Sequence, residues 1–208
     1  METVIPATLG LILAGGLARR MGGTDKALIK IGGIANLERV RVRLHPACRH
    51  IIVSANGEPA RFAGYGLPVV ADSIANFAGP LAGILAGMEW AADTGLDWVV
   101  SVPADCPFLP YDLVDRLHAA RRRENLPIAC ACSGERRHPV VALWPTSLRA
   151  ELRRALLDDG VRKIAAWTSR YGVALATWPD APFDPFFNVN TPDDLAEAER
   201  IAAQQERV

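Results

Sequence analysis

The sequence predicts an α/β fold on a mostly parallel sheet, with an antiparallel addition in the C-terminal half. Short apolar runs at residues 10–13, 51–54, 68–70 and 98–102 alternate with segments long enough to be crossover helices. Alternation of this kind argues for βαβ units and a parallel sheet. After residue 125 the pattern changes, and runs at 128–133 and 138–144 flank Gly134-Glu135-Arg136-Arg137 as an antiparallel hairpin would.

The individual elements follow from spacing. Leu37, Val40 and Leu44 keep a helical period, as do Leu81, Leu85 and Met88. Helical segments are expected at 147–157 and 162–170, and a strand at 173–178. The last helix starts at Thr191-Pro192-Asp193-Asp194, with Thr191 as N-cap, Pro192 in the first turn and acids near the positive end of the helix dipole. With 208 residues, half of them apolar, and no repeat or long linker, one domain spanning 1–208 is expected.

Lys plus Arg and Asp plus Glu are equal at 23 each, so no global field would hold nucleic acid or an anionic membrane; an anion site must be local. No run approaches the ~20 apolar residues of a membrane span, and Met1-Glu2-Thr3 lacks the cationic start of a secretory signal. A cytoplasmic protein is expected. Four cysteines, Cys48, Cys106, Cys130 and Cys132, are too few and too irregular for a disulfide scaffold. Cys130-x-Cys132 reads as two thiols on one face of a strand rather than as a metal or redox pair.

The stretch 13–26, LAGGLARRMGGTDK, combines four glycines, two arginines and a lysine directly after the first apolar run. Glycines let backbone N–H groups converge on anionic oxygens, and fixed cations neutralise what the amides do not. A polyphosphate is the ligand this composition suits. The P-loop pattern does not fit, because Lys26 follows Asp25 and precedes Ala27, and the dinucleotide fingerprint is absent.

Two acids follow strands. Asp105, between Pro103 and Pro107 after the 98–102 run, is placed to hold a divalent cation; Mg²⁺ suits one or two carboxylates together with substrate phosphates. It lies too early to cap the helix expected after Pro110. Asp72 precedes Gly79-Pro80, a turn that permits close approach to a base or ribose, and capping and binding are equal readings for it. Asn188 and Asn190 would turn their amides to the same side before the last helix, either to bind a ligand or to cap their own backbone. His138, beside Arg136 and Arg137, fits a solvated hairpin better than a catalyst; if those cations act, they clamp a phosphate.

The spelling L-A-G-G-x-x-x-R-M-G-G-x-D-K resembles the signature loop of nucleotidyltransferases that join an NTP to a phosphorylated acceptor, and among them the molybdenum cofactor guanylyltransferases. The likeness runs from Leu9 to about Leu195. It implies a three-layer, Rossmann-like fold of the nucleotide-diphospho-sugar transferase type. It also implies transfer of GMP from GTP to molybdenum cofactor (molybdopterin) with Mg²⁺, and transient contact with cofactor-synthesis proteins or target molybdoenzymes.

Carried over residue by residue, it makes Lys26, Asp105 and Arg20 catalytic and Asp105 the metal ligand. Leu13, Ala14, Gly15, Gly16, Lys26, Asn56, Asp72, Gly79, Pro80, Leu81 and Asp105 would bind the nucleotide, and Arg19, His138, Asn188 and Asn190 the acceptor. Two departures stand out. Ser54 takes a place where relatives often have asparagine, so Asn56 would substitute, and Ile34-Ala35 replaces a frequent Lys-Pro. L-A-G-G in place of the L-A-A-G of many cytidylyl and uridylyl relatives favours GTP. The competing readings are CTP with the same cofactor, GTP with a sugar phosphate, and a catalytically silent nucleotide-binding regulator.

Overall fold

The computed structural model describes residues 5–15, 17–18, 24–74 and 79–205. In chain order the strands are β1 (Thr8–Leu13), β2 (Leu17–Ala18), β3 (Thr24–Asp25), β4 (Lys30–Ile31), β5 (Ile34–Ala35), β6 (His50–Ser54), β7 (Val69–Val70), β8 (Trp98–Pro103), β9 (Ile128–Ser133), β10 (Arg136–Pro145) and β11 (Val173–Trp178). The helices are α1 (Asn36–Leu44), α2 (Pro80–Asp93), α3 (Leu113–Glu124), α4 (Arg149–Leu157), α5 (Ile164–Thr168) and α6 (Pro192–Gln205).

Seven strands form one sheet in the order β11-β9-β10-β8-β1-β6-β7. β8 lies at its centre with β1 beside it, β1 runs parallel to β6 on one side and β8 on the other, and β10 alone runs against its neighbours. Alternation sorts each strand's side chains to opposite faces. Ile12, Val53, Val100 and Ala129 pack under α1 and α3, while Leu9, Leu11, Ile52, Val99 and Ile128 pack under α2, α4 and α5. The result is helix, sheet and helix in three layers.

From β1 the chain builds outward to β6 and β7, then crosses back to place β8 on the other side of β1. The carboxyl ends of β1 and β8 therefore flank the point where strand order reverses, the usual ligand crevice of open α/β sheets. The ladder extends one residue beyond the strands there: Ala14 N–H donates to the Ser54 carbonyl at 2.9 Å and Ala104 N–H to that of Leu13 at 3.0 Å.

Several expected elements are shorter or differently wound. The helix anticipated at 162–170 is only Ile164–Thr168, bounded by an extended Lys163 and by turn bonds that run into Gly172 at φ +80°. Residues 147–157 divide into a 3-10 turn, Thr146–Leu148, and α4. The link between β6 and β7 is no full crossover helix but a 3-10 turn, Pro59–Tyr65, stopped by Gly66 in the left-handed region. Cys130 and Cys132 are buried on β9, and burial pushes the Cys130 thiol up to about 11, as suits an inert strand residue.

The last helix is capped reciprocally. Thr191 Oγ1 accepts from Asp194 N–H, and Asp194 Oδ2 accepts from the N–H groups of Asn190 and Thr191 at 2.9 and 2.8 Å. α6 then seals a small cluster of Ile31, Phe108, Val189, Ala198 and Ile201. Among the described residues no helix is long and apolar enough to cross a membrane.

The start of β1 is tied to α3 by a buried histidine. Thr8 Oγ1 donates to the Pro6 carbonyl at 2.7 Å, so its oxygen is left to accept from His118 Nε2 at 2.9 Å. His118 Nδ1 accepts from Arg121 Nε at 3.2 Å. These partners require the neutral imidazole with its proton on Nε2. Burial, then Arg121 and Arg122, push its pKa down from 6.5 to about 3. Between those values the unfolded chain binds the proton that the folded chain refuses, so stability present above pH 6.5 is lost as pH falls through the window. Urea unfolding at a series of pH values should show a shallower acid loss in His118→Gln than in the parent between pH 6 and 4.

Candidate active site

A cavity of about 460 Å³ opens at the switch point. Leu13, Ala14 and Gly15 reach it from the end of β1, Ser54, Ala55 and Asn56 from the end of β6, and Pro103, Ala104 and Asp105 from the end of β8. Asp72, Gly79, Pro80 and Gly83 close a third side, and Lys26, Ala27 and Val140 complete the walls. Gly16, Arg19 and Arg20, and with them much of the glycine loop, lie outside the described residues.

Lys26 is held at both its backbone and its ammonium. It opens a 3-10 turn, Lys26–Leu28, whose N-cap Asp25 accepts from Ala27 N–H through Oδ1 at 3.0 Å. The buried Asn36 donates through Nδ2 to the Lys26 carbonyl at 2.9 Å. At the other end the ammonium donates to Asp105 Oδ2 at 3.0 Å and to Asn190 Oδ1. Both charged groups are mostly shielded from solvent, with 22% and 13% of their side-chain surfaces exposed.

Asp105 is held from two more directions. Its Oδ1 accepts from Asn188 Nδ2 at 2.9 Å, and its carbonyl accepts from Val189 N–H at 3.0 Å. Asn188 and Asn190 thus turn both amides onto the Lys26–Asp105 pair, which binds the segment before α6 to the end of β8. Asn188 Nδ2 also donates to Cys106 Sγ at 3.2 Å. Complete burial, then the Asp105 and Asp184 charges, raise the Cys106 thiol well above its ordinary value. It stays a neutral packing group.

Across the cavity Asn56 and Asp72 form a reciprocal pair. Asn56 Nδ2 donates to Asp72 Oδ2 at 2.8 Å, and Asp72 N–H donates to Asn56 Oδ1 at 3.1 Å. Asp72 therefore makes contact through backbone and carboxylate with one side chain and caps no helix.

The α2 side depends on two glycines. Gly79 has φ +136°, a conformation L side chains rarely adopt, and it turns the chain into Pro80 at the first helical position. One turn on, a Cβ at Gly83 would stand 2.6 Å from Ser54 Oγ and 2.8 Å from a Leu13 methyl, so only glycine lets α2 approach β1 and β6 this closely. Leu81, expected to cover the nucleotide, instead points away from the cavity. It is fully buried in the core under α2, because the turn after Pro80 puts positions 81, 84 and 85 on the sheet-facing side.

On the opposite wall, β10 carries an irregularity between His138 and Ala142. Ser101 Oγ donates to the Val140 carbonyl at 2.6 Å and accepts from Trp144 Nε1 at 2.8 Å, fixing the bulge that presents Val140 to the cavity. His138 corrects the picture of a solvated hairpin. It is buried, its Nε2 2.7 Å from Ser133 Oγ and its ring 4.7 Å from that of Phe186, and burial lowers its pKa. It does not line the cavity.

Two residues outside the cavity wall brace the site without any local signal of doing so. Asn36 passes as an ordinary helix-start residue, and only its burial reveals the bond to Lys26. Arg61, in a segment read as a connector, donates to Asp25 Oδ2 at 2.8 Å. The Gly83 geometry is directly testable. Gly83→Ala should destabilise the chain by about 1–3 kcal/mol through overpacking and narrow the cavity, read as a lower thermal midpoint together with weaker nucleotide binding.

Comparison with known proteins agrees with this layout. Residues 10–173 match the MobA-like NTP transferase domain. A molybdenum cofactor guanylyltransferase of Nitrobacter hamburgensis is 58% identical over 205 residues, covering 98% of each chain. One from Rhodopseudomonas palustris strain BisB5 is 57% identical over 97% of each. Among solved structures, molybdopterin-guanine dinucleotide biosynthesis protein A from Archaeoglobus fulgidus superposes with a TM-score of 0.72 at 26% identity, covering 94% of this chain and 99% of its own. A CMP-2-keto-3-deoxy-manno-octonic acid synthetase, at 13% identity and TM-score 0.71, shares the fold. With a family match over most of its length and relatives aligned almost end to end, the chain belongs to the MobA-like NTP transferases.

Proposed function

We propose that the chain transfers GMP from GTP to the terminal phosphate of molybdenum cofactor, giving molybdopterin guanine dinucleotide and pyrophosphate in the cytoplasm. The observation that carries the reading is the convergence of the glycine loop's start, Lys26 and Asp105 on one cavity at the strand-order reversal, in a chain whose full-length relatives bear that name. The N-terminal half would hold the nucleotide, and the C-terminal half, which brings Val140 to the cavity and the Asn188 and Asn190 amides to the Lys26–Asp105 pair, would face the acceptor.

In this reaction an acceptor phosphate oxygen attacks the α-phosphorus of GTP in line. The new P–O bond forms as the bond between Pα and the bridging oxygen breaks, and pyrophosphate leaves with the electron pair. The acceptor phosphate is already an anion at neutral pH, so no side chain has to remove a proton. The difficulty is to bring anions together, and it is met by positioning and fixed charge. Lys26 supplies a cation on a stem held at both ends. Asn56 and Asp72 offer acceptors and donors to the nucleoside, and Leu13, Ala14 and Gly15 present backbone groups to a base edge. On this reading Arg19 and Arg20 add charge to the same loop.

Nucleotidyltransferases of this type go with a divalent metal requirement, and the donor set here suits Mg²⁺. Asp105 offers a hard carboxylate oxygen beside the Asn188 and Asn190 amides. Mg²⁺ takes one or two carboxylates from the protein and relies on substrate phosphates for the rest of its oxygens. When bound, Mg²⁺ would screen the triphosphate and stabilise the departing pyrophosphate.

The direct test supplies molybdenum cofactor with each NTP and identifies the dinucleotide by mass. GTP should win by orders of magnitude in kcat/KM, because a site built for guanine's donors leaves its acceptors unpaired with cytosine. A cytosine product would move the chain to cytidylyl transfer, guanylylation of mannose 1-phosphate alone would move it out of molybdenum metabolism, and no pyrophosphate with any pair would make it a silent binder. Within the site, Lys26→Ala should cost roughly 10²- to 10³-fold in turnover, the range for losing one preorganised group that stabilises transition-state charge. Asp105→Asn should abolish most metal-dependent pyrophosphate release across a Mg²⁺ titration without a matching fall in thermal midpoint.

A further inference from the structure

Arg61 joins the two sides of the cavity without lining it. Its Nε donates to Asp25 Oδ2 at 2.8 Å, its Nη2 to the Asn56 carbonyl at 3.0 Å and its Nη1 to the Glu58 carbonyl at 2.9 Å, while its guanidinium lies 4.5 Å above the Phe62 ring. Each of its three nitrogens has a partner. Asp25 shares one carboxylate between Arg61 and the N–H that caps the Lys26 turn. Asn56 shares one residue between its carbonyl, held by Arg61, and its side chain, which holds Asp72.

We propose that Arg61 is a positioning residue for nucleotide binding, fixing Lys26 through Asp25 and Asp72 through Asn56, and so setting the span between the phosphate side and the nucleoside side of the cavity. The assignment rests on the reading of this cavity as an NTP site. Arg61 also has an electrostatic task. The Asp25 carboxylate, with 11% of its side chain exposed, stands next in sequence to the lysine that would meet the triphosphate. Left without its guanidinium it would repel the polyphosphate and compete for the Lys26 ammonium. A planar fork with three partners in different directions does this where a lysine, with a single point charge, does not.

The test uses the full chain and measures GTP binding by titration calorimetry, alongside pyrophosphate release with varied GTP and varied molybdenum cofactor. Arg61→Ala should weaken GTP binding about tenfold, the scale for losing a hydrogen bond to a charged group, and raise the KM for GTP by a like factor while the KM for the acceptor stays unchanged. Arg61→Lys should fall between the two. Adding Asp25→Asn to Arg61→Ala should recover part of the GTP affinity, since the amide oxygen can still cap Ala27 while the stranded charge is gone. A purely architectural arginine would shift both KM values together with the thermal midpoint, and Asp25→Asn would recover nothing; that pattern, or unchanged GTP affinity in Arg61→Ala, overturns the proposal. If the parent chain binds no NTP, the reading of the cavity falls and the role of Arg61 with it. Tight GTP binding without transfer to the cofactor would overturn the proposed acceptor and leave the Arg61 comparison intact.

Discussion

The contact between Lys26 and Asp105 ties together the polar ends of three stretches of chain that also share the small apolar cluster of Ile31, Phe108 and Val189. Lys26 comes from the turn that closes the glycine loop, Asp105 from the end of β8, and the amides that complete the cluster from the segment before α6. An ion pair this shielded must satisfy its remaining hydrogen-bonding capacity or cost more than it returns. The structure supplies further partners on both sides. Asn188 takes the second carboxylate oxygen, Asn190 takes a second ammonium proton, and Asn36 fixes the backbone from which the lysine springs. The pair is thus a statement about geometry more than about stability, since it holds a cation and an acid at one mouth of the cavity in a fixed relation.

That relation is possible because of where the sheet reverses its order. β1 and β8 are neighbours, so residues more than 75 positions apart in sequence emerge side by side at their carboxyl ends. The apolar alternation on these strands buries both faces and leaves the ends as the natural outlet for polar chemistry. α2 is drawn in by Gly83 on one side, and β10 is bent by its bulge on the other. Each wall is shaped by packing before any ligand arrives.

Much of this was legible in the residues. The parallel strands, the hairpin and the cap of the last helix follow from periodicity and from turn chemistry, and the structure has them within a residue or two. Asp105 announced itself by following an apolar strand between two prolines. What escaped is of a different physical kind. Leu81 sits in a run with the right spelling, but helical phase, which depends on where the helix begins, turns it inward. His138 looks solvated beside two arginines, yet Ser133 across the hairpin bonds its ring and Phe186, from far along the chain, covers it. Arg61 and Asn36 are ordinary polar residues until tertiary contact gives each a partner. Local rules report what a residue prefers, and a site is made of which distant groups it meets.

The separation of 164 residues between Lys26 and Asn190 has a bearing on how the protein is made. A ribosome delivers the glycine loop early and the Asn188 and Asn190 amides only near the end of translation. Until they arrive, the lysine and the carboxylate lack half of their partners, and no order of local folding can supply them. The growing polypeptide therefore carries the glycine loop well before it can complete the Lys26–Asp105 cluster, whose last contacts are among those of highest sequence separation and slowest to form.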